Sequence, residues 1–241
     1  MKPLHVPTIP RGENGLVTQG KAAKASLEHI VFYPDKSKNA YPTIVALHGR
    51  GTDEYDLLPL IEALGLHDAL LVAPRAPLLF NPDGFTGGYA WYEFGEEGTP
   101  DPTTFRASLE IFRRFLGEMK KSYPVDSGQI VLLGFSQGTV MAYAAGLLDP
   151  SMIRGIAALS GYVPHRSGVP LKLHDLNSLP IFISHGAWDE IIPVEFARES
   201  VELLKTAGAE VLYREYLMGH EVREETLRDL SAWTRRLIAP N

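Results

Sequence analysis

Two kinds of hydrophobic pattern alternate along this 241-residue chain. Short continuous apolar runs at Thr43–Leu47, Ala69–Ala73, Ile130–Leu133, Ile153–Leu159 and Leu179–Ser184 predict strands buried on both faces, and Leu27–Tyr33 and Glu210–Tyr216 alternate as strands do. Between them, apolar residues recur every three or four positions. Leu57, Leu58, Ile61 and Leu64 predict one helix, and Phe105, Leu109, Phe112, Leu116 and Met119 a second. Val194, Ala197, Val201 and Leu204 predict another, and Leu227, Leu230, Trp233 and Leu237 the closing one. Strands alternating with helices predict an α/β fold with a mostly parallel central sheet covered by helices on both faces. One such domain accounts for residues 1–241, with residues 1–25 as an irregular lead-in.

Two segments break the pattern. Residues 160–178 read as a loop. Residues 74–101 form a longer one, rich in proline and glycine and carrying Phe80, Phe85, Trp91 and Tyr92. A loop of that length is usually functional or disordered, and its aromatic content argues for function. Phe80, Phe85 and Trp91 are therefore candidates to contact substrate, with Trp91 expected to pack structurally.

The chemistry is concentrated after Ile130–Leu133. Gly134-Phe135-Ser136-Gln137-Gly138 follows that strand without a gap, and Thr139–Leu148 continues as a helix of small and apolar residues. Strand, G-x-S-x-G and helix together spell a nucleophile elbow. A serine on so sharp a turn has a strained backbone, and only glycine two residues either side lets strand and helix pass closely.

Serine attacks a carbonyl only when a base removes its proton and a carboxylate orients that base. The chain order for an elbow of this kind is serine, acid, histidine. Asp189 follows the strand at 179–184 and His220 follows the last strand, so both are expected on the rim that carries Ser136. Among the other histidines, His48 and His185 each begin a His-Gly at a strand end, where a structural hydrogen bond is the expected role. His165 and His174 sit in the 160–178 loop, and His5, His29 and His67 precede the elbow. Stabilising a tetrahedral oxyanion needs two backbone N–H groups. Gln137, directly after the nucleophile, is one candidate, and the loop after Leu47 supplies the other, with Arg50 preferred over Gly49 and Gly51.

Composition narrows the partners. The net charge of −6 and the lack of a basic run argue against nucleic acid. There is no cysteine, which removes disulfides and thiolate metal sites, and the remaining His, Asp and Glu show no metal-ligand spacing. No nucleotide-binding glycine motif appears, so no cofactor is expected. Neither a signal peptide nor a membrane-spanning run is visible, which makes cytoplasmic the default location, and no pattern here speaks for or against a homo-oligomer.

Leu47-His48-Gly49-Arg50-Gly51, Ala73–Pro77, Gly88–Tyr92, Gly134–Gly138, His185-Gly186 with Asp189, and Gly219-His220 together resemble the carboxylesterase/phospholipase family of α/β-hydrolases, which includes acyl-protein thioesterase-like and bacterial serine esterases. The resemblance implies cofactor-free hydrolysis of a small-molecule carboxylic ester, thioester or lysophospholipid by Ser136, Asp189 and His220, with oxyanion donors on Arg50 and Gln137. A small-molecule receptor on the same fold, or an acyltransferase or peptidase using the same three residues, fits the sequence as an alternative.

Overall fold

The apolar runs become strands because both of their faces are covered. The computed structural model describes residues 18–19, 22–34, 38–82, 84, 87–95 and 98–239. In chain order these form β1 (Thr18–Gln19), β2 (His29–Tyr33), β3 (Tyr41–Leu47), α1 (Leu58–Leu64), β4 (Leu70–Pro74), β5 (Leu78–Phe80) and β6 (Gly88–Ala90). There follow α2 (Pro102–Ser122), β7 (Val125–Phe135), α3 (Gln137–Leu148), β8 (Gly155–Leu159), β9 (Pro180–Gly186), α4 (Val194–Thr206), β10 (Glu210–Tyr216) and α5 (Glu224–Ile238).

Among the described residues, eight strands make one sheet in the order β1-β2-β4-β3-β7-β8-β9-β10. From β4 to β10 every neighbouring pair is parallel, while β2 runs antiparallel to β4 and to β1. Side chains alternate between two cores, as the two-residue period of a strand requires. Val45 and Leu47, Leu70 and Val72, Ile130 and Leu132, and Ile181 and Ile183 face α2, α3 and α4. Ile44 and Ala46, Leu71 and Ala73, Val131 and Leu133, and Phe182 face α1 and α5. The α2 stripe of Phe105, Leu109, Phe112, Leu116 and Met119 is buried throughout. Its start is fixed by the Asp101 carboxylate, which accepts the Thr104 N–H at 2.8 Å, with Pro102 in the first turn. Helix α3 is buried on nearly every side, as its run of small and apolar residues requires.

Three expectations need correction. The first concerns residues 74–101, read as irregular, which contain the antiparallel hairpin β5–β6. That hairpin is stitched to the loop after β3, with Gly51 N–H donating to Tyr89 O and Tyr89 N–H to Thr52 O, both at 2.8 Å. Its three-residue strands are too short to leave a periodic signature. The lead-in over residues 1–25, secondly, is not wholly irregular: Thr18 and Gln19 pair with Tyr33 and Phe32. Lastly, β7 begins at Val125 rather than Ile130, its first residues being partly exposed and so lacking the apolar signal.

Consecutive strands depart in opposite directions from the adjacent pair β3 and β7, which makes their carboxyl ends a topological switch point. The elbow sits there. Close packing sets the requirement for glycine: a Cβ on Gly134 would be driven into the Gly138 backbone, and one on Gly138 into the Leu47 carbonyl. Gly138→Ala is expected to cost at least the ~1–3 kcal/mol typical of overpacking, because backbone rather than a mobile side chain must yield. Urea unfolding measures it, and a midpoint equal to that of the parent chain would refute the packing account.

Candidate active site

Ser136 occupies a left-handed backbone conformation, φ 55° and ψ −120°, that a side-chain-bearing residue adopts only under constraint. The constraint is visible. Ser136 N–H donates to Leu159 O at 3.0 Å, tying the turn to β8. The Thr139 hydroxyl lies 2.7 Å from both Gly134 O and Leu159 O and accepts the Leu159 N–H at 3.1 Å, bolting α3 to β7 and β8 together.

Asp189 follows the carboxyl end of β9, and its side chain is fully buried. Oδ1 accepts the N–H groups of Ile191 and Ile192, each at 2.9 Å, and Oδ2 accepts from His220 Nδ1 at 2.7 Å. Burial alone would raise this carboxyl's pKa; the hydrogen bonds from His185, His220 and the Ile192 backbone outweigh it and hold the group well below the usual carboxylate range. With Nδ1–H committed to Asp189, His220 presents Nε2 as its acceptor, and that atom is buried without a partner among the described residues. The ring packs on Phe135, next to Ser136, with centroids 4.9 Å apart. The structure thus brings Asp189 and His220 into direct contact on the rim where Ser136 lies.

His185 is fully buried, with Nε2 2.8 Å from Ile192 O and 3.3 Å from Asp189 Oδ2. It braces the turn that carries the acid. His48 is also structural. Its Nδ1–H points to Gly49 O at 2.7 Å and its Nε2 accepts the Ala76 N–H at 3.0 Å. Burial lowers its pKa from 6.5 to about 4, and a second ring proton would confront the Ala76 donor. His29, placed before the elbow by sequence, is buried too, bonded through Nε2 to the Tyr123 hydroxyl at 2.6 Å.

Arg50 and Gln137 sit at the carboxyl ends of β3 and β7, and neither N–H has an acceptor among the described residues. Gly51 N–H, the alternative to Arg50, is spent on Tyr89 O. The Gln137 side chain has a role that the motif did not reveal: Oε1 accepts the Trp91 N–H at 2.9 Å and Nε2 donates to Tyr92 O at 2.8 Å. It pins the 74–101 segment over the elbow. Glu54 and Arg75, also missed, form a bidentate pair at 2.7 and 2.6 Å that anchors the loop before α1. Such long-range side-chain pairs leave no local sequence signal.

A cavity of about 800 Å³ opens above Ser136 and Gln137, walled by Phe80, Tyr92, Phe94, Tyr162, Ile191 and Phe196 among others. Phe80 lies in this wall as expected. Trp91 does not. It is fully buried beneath the loop, its indole N–H donating to His48 O at 3.0 Å, so it packs rather than lining the cavity. Phe85 lies outside the described residues. No group of three or more His, Asp or Glu among the described residues is arranged to hold a metal.

Residues 29–238 match the phospholipase/carboxylesterase family along most of the chain. The chain belongs to that family. An acyl-protein thioesterase 1 from Candida albicans is 28% identical over 223 residues, covering 85% of this chain and 96% of the relative. That of Debaryomyces hansenii is 31% identical over 168 residues, covering 66% and 72%. Among solved structures, a Bacillus cereus carboxylesterase superposes with a TM-score of 0.77 at 25% identity, covering 88% of this chain and 94% of that one. As a phospholipase/carboxylesterase family member, the protein is an α/β-hydrolase enzyme of the carboxylesterase type.

The neutral, buried state of His48 makes this family member's stability depend on pH. Below pH 6.5 the unfolded chain takes up a proton that folded His48 refuses until about pH 4. Its contribution is therefore complete above 6.5, lost as pH falls towards 4, and constant below that, a change of up to roughly 3 kcal/mol. His48→Gln keeps an acceptor for Ala76 but cannot titrate. The stability gap between parent and variant should narrow from pH 6.5 to 4 in urea titrations, and a gap constant with pH would refute this assignment.

Proposed function

We propose that the protein hydrolyses carboxylic esters and thioesters through an acyl-enzyme on Ser136, with His220 as general base, Asp189 as its orienting carboxylate, and the Arg50 and Gln137 N–H groups as the oxyanion hole. The observation that carries this reading is the 2.7 Å His220–Asp189 hydrogen bond, which leaves Nε2 as a buried, unpartnered acceptor on the rim of the strained serine. The relatives named acyl-protein thioesterase 1 and carboxylesterase support the choice of ester and thioester as substrate class.

The geometry supports a two-step exchange. Ser136 Oγ adds to the ester carbonyl as His220 Nε2 takes its proton, and the carbonyl oxygen becomes an oxyanion facing the two N–H donors. Collapse expels the alcohol or thiol, which receives the proton from His220 and leaves an acyl-serine. Water then repeats the sequence and releases the carboxylic acid. Asp189 stays ionised throughout, since its donors favour the charged form, and it stabilises the imidazolium of each addition step.

Ser136→Ala should fold normally yet lose fluorophosphonate labelling and nearly all activity on p-nitrophenyl esters. His220→Ala should lower kcat by roughly 10³-fold or more with its melting temperature little changed. Labelling that survives in the Ser136 variant would reject the nucleophile.

The cavity wall generates a separate expectation. Phe80→Ala should shift relative kcat/KM across an ester chain-length series by roughly tenfold, because an apolar contact of ~1–3 kcal/mol is removed without touching the chemistry. Trp91→Ala should instead destabilise the fold by roughly 3–5 kcal/mol, the usual cost of truncating a buried aromatic. A chain-length profile that moves with Trp91 and not with Phe80 would reverse these assignments.

A further inference from the structure

Arg50 carries a second feature besides its backbone N–H. Its guanidinium carbon lies over two aromatic rings, 4.3 Å from the centre of Phe80 and 4.6 Å from that of Phe94. The rings stabilise the charge but do not satisfy the five N–H donors at the edge of the group. Among the described residues no carboxylate pairs with it. The other arginine on the cavity wall is already engaged: Arg166 meets Glu199 at 3.0 Å. Glu199 is also the one carboxylate in the described lining. The Arg50 charge reaches the cavity interior. It acts on the buried Tyr92 hydroxyl, partly offsetting the rise that burial imposes there.

A half-buried guanidinium whose donors are unused among the described residues, facing a mainly apolar cavity, matches a planar carboxylate that takes two parallel N–H bonds. A single positive charge with no carboxylate partner among the described residues fits a monoanion, whereas a phosphate dianion would leave one negative charge uncompensated beside it. We infer that the Arg50 side chain is a carboxylate-binding subsite, so that the preferred ester carries a free carboxylate on its acyl or alcohol part, as the half-esters of dicarboxylic acids do. The inference rests on the proposed hydrolysis for its turnover, and on the cavity alone for its binding.

Two measurements separate these. In the full chain, kcat/KM for mono-4-nitrophenyl glutarate is compared with that for its neutral methyl ester. The charged substrate should be favoured by roughly 10–100-fold, chiefly through KM, with the advantage shrinking as salt is added. Arg50→Met should erase the preference, and Arg50→Lys, which keeps the charge but not the planar fork, should restore part of it. In Ser136→Ala, monomethyl glutarate should raise the melting temperature where dimethyl glutarate does not. Turnover with no preference for the charged ester overturns the subsite and leaves hydrolysis standing. Selective stabilisation of Ser136→Ala without turnover by the parent chain supports the subsite and overturns hydrolysis. If Arg50→Met fails to fold, the parent chain's own charged-to-neutral ratio decides, and a ratio of one or less overturns the subsite.

Discussion

The structure depends on one backbone turn that no residue with a side chain would adopt unaided. Ser136 at φ 55° is held there by strand and helix packed too closely to permit any Cβ at Gly134 or Gly138. The same closeness puts Leu47 O against Gly138, so the end of β3 and the end of β7 are fixed relative to one another by backbone contact. Of the two proposed oxyanion donors, Arg50 stands three residues beyond Leu47 and Gln137 directly before Gly138. The strain is sustained by a core that is buried on both sheet faces and by the Thr139 hydroxyl, which joins three elements at one atom.

Charge is placed with equal economy. A buried carboxylate stays ionised only when its oxygens are supplied with donors. Asp189 obtains two from the turn that follows it and one from His220, so the shape of the residue 189–192 turn and the titration of the acid are one fact. His48 shows the converse. It occupies an equivalent strand-end position, but its Nδ1–H meets a backbone carbonyl rather than a carboxylate, its acceptor nitrogen meets a backbone N–H, and burial then favours the neutral ring. Partner, more than location, separates a structural histidine from a proposed base.

Much of this was legible in the sequence because parallel strands covered on both faces must be continuously apolar, and a sharp turn between them must be spelled with glycine. The chain order of Ser136, Asp189 and His220 follows from strands whose carboxyl ends share one rim. What escaped reading is what joins distant segments: Gln137 to the Trp91–Tyr92 backbone, Glu54 to Arg75, Thr139 to Leu159. Each is a single polar side chain meeting a residue far along the chain, with no periodicity to betray it. The β5–β6 hairpin escaped for a related reason. Leu78–Phe80 is half-exposed and short, and its pairing with Gly88–Ala90 is fixed by contact with the loop after β3 rather than by its own pattern.

That contact also explains how substrate choice can vary while the chemistry stays fixed. The proposed reacting groups all stand at ends of sheet strands, where register and core packing determine position. The cavity walls come from elsewhere: the β5–β6 hairpin, the segment around Phe94, the 162–167 loop and the start of α4. Because the hairpin hangs on Gly51 and Thr52 through backbone bonds, its side chains can change without disturbing the link to β3. The aromatics of this region divide accordingly. Trp91 turns inward, fully buried, and secures the loop through His48 O, whereas Phe80 and Phe94 line the cavity and pack against Arg50. Substitution at the first kind of position should be felt as stability and at the second as selectivity, a separation that would let walls vary around one proposed catalytic rim.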